Sequence, residues 1–178
     1  MFASDIHGSS AYCKKLLDLY QKENARKLVL LGDLLYHGAR NDLTLKYDTR
    51  AVASMLNSIK DEILCVRGNC DSEVDQMVLE FPIMAEYSTM FIGDHMLFIA
   101  HGHIYNPQNL PPLRKGDILI NGHTHIKAME SMGDYIYLNP GSISLHKDGV
   151  NSYMTFEDDA FYLKDLDMNI ISELSLTV

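Results

Sequence analysis

The sequence predicts a layered α/β domain with parallel core strands and antiparallel strands added in its second half. Three observations carry this: short apolar runs that end at turn-prone clusters, helical spacing of apolar residues between them, and paired β-like runs around tight turns further on. The first runs cover residues 1–4, 27–31 (KLVLL) and 63–66 and read as buried parallel strands. Between them, Tyr12, Leu16, Leu19 and Tyr20 recur at helical spacing, as do Ala51, Met55, Leu56 and Ile59. The order strand, helix, strand, helix, strand implies the layered core.

The second half changes texture. Residues 90–92 and 95–99 flank Gly93-Asp94, residues 128–130 and 135–138 flank Gly133-Asp134, and residues 153–156 and 161–163 flank Asp158-Asp159. These are hairpin signals. No linker, repeat or low-complexity tract interrupts the chain, so residues 1–178 read as one domain, long enough to bury a core without disulfides. Only four residues precede Asp5, which makes the first strand short and raises the expectation of a native start upstream of Met1.

Composition bounds the function. Hydrophobic residues make up 47% and no apolar run approaches the ~18 to 20 residues of a membrane span, so a soluble chain without membrane contact is expected. The start has neither a basic flank nor an apolar stretch suited to secretion, which points to the cytoplasm. Cys13, Cys65 and Cys70 are odd in number with no CxxC spacing, and read as reduced thiols. A net charge of -9 argues against nonspecific nucleic-acid binding, so phosphate recognition must be local.

The chemistry-bearing residues follow the apolar runs. Asp5-Ile6-His7 comes after the first, Gly32-Asp33 after the second and Gly68-Asn69 after the third. His101-Gly102-His103 follows Ala100, and Gly122-His123-Thr124-His125 follows the run over residues 117–121. Open α/β sheets place ligands at the carboxyl ends of strands, so five segments are expected to converge on one rim. In extended backbone, residues two apart share a face, so Asp5 with His7, and His123 with His125, are each expected to aim a pair inward.

These residue types suit two divalent ions. Metals held ~3.5 to 4 Å apart polarise a phosphoryl group, acidify a water and clamp the entering and leaving oxygens. A carboxylate such as Asp33 can bridge them, while imidazoles and an amide oxygen complete the shell without adding negative charge. Mixed nitrogen and oxygen donors without thiolates fit manganese, iron, zinc or cobalt better than calcium or magnesium, and manganese is taken as the first choice. Taken singly, Asp5, Asp33 and Asn69 would read as ordinary turn or capping residues.

The ordered set DxH, GD, GN, His-Gly and GHxH resembles the calcineurin-like metallophosphoesterase superfamily, from Asp5 to His125. The stretch from Arg67 to Asp71 (RGNCD), the GHTH at residues 122–125 and Asn139-Pro140-Gly141-Ser142 are similar to its small single-domain bacterial and archaeal phosphodiesterases. That resemblance implies a four-layer αββα sandwich and a metal-activated hydroxide as nucleophile. It also implies one metal on Asp5, His7, Asp33 and His125, and a second on Asp33, Asn69, His101 and His123.

Cys70 is the main departure, since many phosphatases of the superfamily carry His after the Asn. Asn69, His103 and Cys70 are the candidate catalytic residues beside the ligands. For Cys70, packing beside the metals is preferred to nucleophilic attack; for His103, orienting a ligand or the phosphate stands level with a plain loop position. His37, with Gly38, Arg40 and Asn41, could reach substrate, whereas His95 and His146 read as structural or exposed. The leading expectation is hydrolysis of a small-molecule phosphodiester. Phosphomonoesterase or protein phosphatase activity is the alternative, weakened by Cys70 and by the lack of an evident Arg cluster. A scaffold of the same fold is the third reading, disfavoured because every ligand type is present. Substrate identity and oligomeric state, including a homo-oligomer, stay open.

Overall fold

The computed structural model describes residues 1–176. Three short strands open the chain, β1 (Phe2–Ala3), β2 (Leu28–Leu30) and β3 (Ile63–Cys65), paired in parallel in that order. Helix α1 (Ser10–Lys22) connects β1 to β2, and α2 (Thr49–Asn57) precedes β3. The Ser9 hydroxyl caps α1 by accepting from the Tyr12 amide, and Asp48 caps α2 by accepting from the Ala51 amide. A four-residue helix α3 (Glu73–Gln76) was not expected, being too short for an apolar period; a capping box between Ser72 and Asp75 closes it.

The three expected hairpins form as β4 (Tyr87–Ile92) with β5 (His95–Ala100), β7 (Lys127–Ser131) with β8 (Ile136–Pro140), and β9 (Ser152–Glu157) with β10 (Ala160–Asp165). Strands β6 (Ile118–Ile120) and β11 (Ile170–Ser175) complete the set. They form two mixed sheets, β11-β10-β9-β1-β2-β3 and β4-β5-β6-β8-β7. The second hairpin sheet is not purely antiparallel, since β6 pairs in parallel with both β5 and β8.

Period-two side chains explain the layering. Along β2, Leu28 and Leu30 face one apolar cluster with Leu16, Leu19 and Leu56 of the helices, while Val29 and the following Leu31 face a second cluster. That second cluster lies between the sheets, where Leu97, Ile99, Ile118 and Ile120 meet Phe2 and Phe161. Helices, first sheet and second sheet are thus three layers of the expected αββα sandwich. The outer face of the second sheet, with Phe98 and Leu119, is covered by Tyr105 and Leu113 from an irregular segment where the resemblance implies a helix. Pro107, Pro111 and Pro112 in that segment each lack an amide hydrogen and restrict the preceding residue, which disfavours helix.

Candidate metal centre

All five predicted segments reach one rim. Asp5 and His7 follow β1, Asp33 follows β2, Asn69 follows β3, His101 follows β5, and His123 and His125 follow β6. The pairs do not meet through extended backbone as expected. Asp5, His7, Asp33, His123 and His125 all have positive φ, between 49° and 64°. Non-glycine side chains rarely adopt that region, and strained backbone of this kind concentrates at functional sites. The strands end before the candidate ligands, and tight left-handed turns redirect these five side chains, whereas Asn69 and His101 need none.

Three of the histidines are oriented alike. The Nδ1 of His7 lies 2.9 Å from the Tyr36 carbonyl, that of His101 2.7 Å from Leu31 O, and that of His125 2.6 Å from Leu145 O. A carbonyl can only accept, so each Nδ1 carries the hydrogen, and in the neutral ring each Nε2 presents its lone pair inward. The Nε2 atoms of His7 and His125 then face each other at 3.2 Å. His101 Nε2 faces Asn69 Oδ1 at 3.1 Å and His123 Nδ1 at 3.2 Å.

The carboxylates complete a convergence of acceptors. Asp5 Oδ1 stands 3.2 Å from His125 Nε2 and 3.6 Å from His7 Nε2, yet it is buried without a hydrogen-bond partner. Its other oxygen accepts from the His123 amide. Asp33 Oδ1 accepts from the Cys70 amide at 2.8 Å, leaving Oδ2 3.6 Å from His7 Nε2 and 3.4 Å from His101 Nε2. Asp33 therefore reaches both histidine groups with one oxygen. Lone pairs aimed at one another out of water need a cation or protons between them. This donor set fits the divalent ions expected from the sequence, and Asp5-His7-His125 and Asp5-Asp33-His101 are each compact enough to hold one.

Electrostatics agree. Burial would raise the Asp5 carboxyl, but His125 and His7 overcome it and hold the group far below the usual carboxylate range. Asp33 is likewise lowered against burial, chiefly by His101. Burial opposes charge on His101, yet the hydrogen bond it donates to Asp33 and the nearby carboxylates raise it to about 9. Protons thus occupy, in the metal-free protein, the place the geometry offers to a cation.

Residues 1–160 match the Calcineurin-like phosphoesterase superfamily domain. The chain belongs to that superfamily. Its reaction class is therefore phosphoester hydrolysis. Among relatives, it is 43% identical to phosphodiesterase YfcE of Escherichia coli over 178 residues, covering 99% of this chain and 97% of that one. The solved structure of E. coli YfcE superposes with a TM-score of 0.97, at 42% identity, over 99% of this chain and 98% of that one. Phosphodiesterase MJ0936 of Methanocaldococcus jannaschii is 23% identical over 155 residues, covering 83% and 85% of the two chains. Vacuolar protein sorting 29 of Cryptosporidium parvum shares the fold, with a TM-score of 0.62 at 21% identity over 98% and 96%.

Several supports of this calcineurin-like centre were missed or left open by sequence reasoning. The buried carboxylate of Asp71 accepts the amides of Asp33 (2.8 Å), Leu34 (2.9 Å) and Gly68 (2.7 Å), tying the GD loop to the GN loop. Its place in RGNCD was the available signal. Ser142 and Ser144 both donate to the Asp5 carbonyl, and Asn139 donates to Gly122 O and Thr124 Oγ1, so the segment from Asn139 braces two ligand turns. Gly68 and Gly122 allow the close approach: a Cβ at either would overlap the Asp33 carboxylate or the Ser4 hydroxyl.

The remaining predicted residues have distinct places. Asn69 Nδ2 donates to Cys70 Sγ at 3.2 Å, which turns Oδ1 toward His101. Burial and the Asp33 carboxylate push the Cys70 thiol up to about 12, so it stays protonated. His103 packs 5.4 Å from His101 between ring centroids, with a buried Nδ1 that has no partner. His37 points into its own loop, with Nδ1 3.2 Å from Asn41 O and its ring against Tyr36 and Tyr47. His95 meets the Gly116 carbonyl at 2.7 Å, a structural role as expected. In front of the ligands lies a cleft of about 680 Å³ whose wall includes Arg40, Arg67 and Lys147. The sequence showed no Arg cluster because these three come from separate loops.

Proposed function

We propose that the chain is a phosphodiesterase working with two divalent metal ions, manganese being the first choice. The observation that carries this is Asp33 Oδ2 placed between His7 and His101, beside an Asp5 oxygen that is buried and unpaired. Asp5, His7, Asp33 and His125 would hold one ion; Asp33, Asn69, His101 and His123 would hold the other. When bound, the ions supply Lewis acidity at phosphorus and an acidified water.

The protein's own side chains orient and tune. The carbonyls of Tyr36, Leu31 and Leu145 fix the imidazoles in the ligating tautomer, a device that sharpens metal affinity and geometry. Asn69 is exposed at the mouth, where its amide can meet both metal and substrate. Cys70 orients Asn69, and a thiol is a poorer hydrogen-bond donor to a leaving oxygen than the imidazole it replaces. An aryl leaving group needs no such donor, and the names of YfcE and MJ0936 support a diester over a monoester. His103 serves as a positioning residue beside His101 and His123.

The test is turnover of an aryl phosphodiester by purified protein, with and without manganese, next to the phosphomonoester with the same aryl leaving group. Metal-dependent cleavage of the diester, at least tenfold faster than the monoester, is the expected result. Turnover that persists in excess chelator, or a preference for the monoester, would overturn the proposal.

A further inference from the structure

The cleft in front of the ligands is larger than a phosphodiester group requires, and its charge runs against the protein as a whole. At a net charge of -9, the chain nevertheless places Arg40, Arg67 and Lys147 on one cleft wall. Arg67 is already engaged: its Nε donates to Asp71 O at 3.3 Å and its guanidinium lies 3.8 Å from Glu73. Among the described residues, Arg40 and Lys147 have no acidic partner within 4.0 Å, although acidic side chains outnumber basic ones.

Their positions are set by the same loops that orient the metal histidines. Tyr36, whose carbonyl fixes His7, opens the turn that carries Arg40, and Asn41 closes it by donating from Nδ2 to His37 O at 2.7 Å. Leu145, whose carbonyl fixes His125, lies two residues before Lys147, and the Lys147 amide donates to His125 O at 3.1 Å. Both uncompensated cations thus belong to the side of the centre formed by Asp5, His7 and His125. Arg67, the remaining cation of the cleft wall, belongs to the loop that carries Asn69 and is held there by Asp71 and Glu73.

We infer that Arg40 and Lys147 determine specificity, and that the substrate is a phosphodiester with a second anionic group, a carboxylate or terminal phosphate, on the arm lying toward His7 and His125. This rests on the phosphodiesterase reading above. The reacting diester carries one negative charge, which two metals already attract. The two loop cations are then available for a charge further along the substrate. An asymmetric charge at the cleft mouth also selects which arm enters which side, because only one end of the substrate is attracted there.

The experiment uses two p-nitrophenyl alkyl phosphodiesters that differ only at the chain end, carboxylate against primary amide. The manganese-loaded protein is expected to show a kcat/KM ratio of about fivefold to tenfold in favour of the carboxylate at low ionic strength, falling as salt rises. In the Arg40→Ala/Lys147→Ala double variant the ratio should fall to about one, and Arg40→Lys should restore part of it. Calorimetry with the non-hydrolysable analogues, in which a CH2 replaces the oxygen between phosphorus and the aryl group, should show the same ratio in Kd, independent of turnover. Equal treatment of the two ends by the wild type, or a ratio unchanged in the double variant, would overturn this inference and leave the phosphodiesterase reading standing. Hydrolysis of neither compound would end that reading, and this inference with it.

Discussion

Asp5, His7 and His125 form a sealed side of the centre: each is at most 4% exposed, and all three sit in left-handed turns. Asn69, His101 and His123 form an open side, where only His101 is buried, Asn69 is exposed and His123 is half-buried. The sealed side is braced from behind by Ser142 and Ser144, whereas Asn69 is steered by a neutral thiol at its Nδ2 and by His101 at its Oδ1. A rigid, water-free set of donors favours tight retention of an ion, and an accessible set favours exchange and contact with substrate. The two proposed ions should therefore differ in affinity, with Asp33 as the element common to both.

The largest effect that can break this comparison is at Asp33. Asp33→Ala should remove both ions and lower kcat by about a thousandfold or more, the scale of losing one preorganised electrostatic group. His125→Ala should empty the sealed side while the open side keeps partial occupancy, and Asn69→Ala should do the reverse. Elemental analysis after dialysis, with circular dichroism confirming the fold, reads all three variants. Equal metal loss in His125→Ala and Asn69→Ala would dissolve the distinction between the sides.

Next in size is the clip between the two loops. Asp71→Ala leaves the amides of Asp33, Leu34 and Gly68 without their shared acceptor. A cost of about 3 kcal/mol is expected, given ~1 to 3 kcal/mol for each buried group left unsatisfied and partial relief by water. Denaturant unfolding of the metal-free protein measures it. A change below about 1 kcal/mol would mean that the loops hold their positions without the clip.

The proton-linked behaviour of the metal-free protein is a further check. His101 is raised from 6.5 to about 9, so its contribution to stability is fully present below 6.5 and is lost as pH rises through about 9. Asp5 and Asp33 are lowered, so their contribution is present above 3.8 and is lost on acidification. Stability of the metal-free protein should then decline from near-neutral pH toward pH 9, and metal uptake at pH 7 should release protons. Loaded protein should lack that decline, since ligating imidazoles are already neutral. Calorimetric titration in two buffers of different ionisation enthalpy detects the protons; uptake with no buffer dependence would contradict the assignment of His101.

Much of this was legible in the sequence because the candidate ligands sit at strand ends and their side chains show their chemistry directly. Asp5, His7, Asp33, Asn69, His101, His123 and His125 all reach one rim as expected, and the three Gly-Asp and Asp-Asp turns marked real hairpins. What escaped was long-range or unperiodic. Asp71 acts through backbone amides that no pattern of side chains announces, α3 is shorter than one helical period can reveal, and the cationic wall joins residues separated by up to about a hundred positions. The left-handed turns also escaped, because Asp and His at positive φ look the same in sequence as Asp and His in a strand.

The smallest expected effect concerns Cys70, at the mouth of the open side. With a thiol where an imidazole would assist the leaving oxygen, alkyl leaving groups should depart poorly and the rate should fall steeply as leaving-group pKa rises. Cys70→His should flatten that dependence if the imidazole reaches the leaving oxygen. A series of aryl and alkyl diesters with manganese supplied throughout reads the slope; a flat wild-type slope where chemistry limits the rate would remove Cys70 from the account.

The most direct test of the dinuclear centre is metal stoichiometry. Purified protein reconstituted with manganese and freed of excess ion should hold about two ions per chain, with two resolved affinities in a calorimetric titration, the tighter abolished by His125→Ala. Protein that holds no ion, or a single ion unaffected by His125→Ala, would contradict the account.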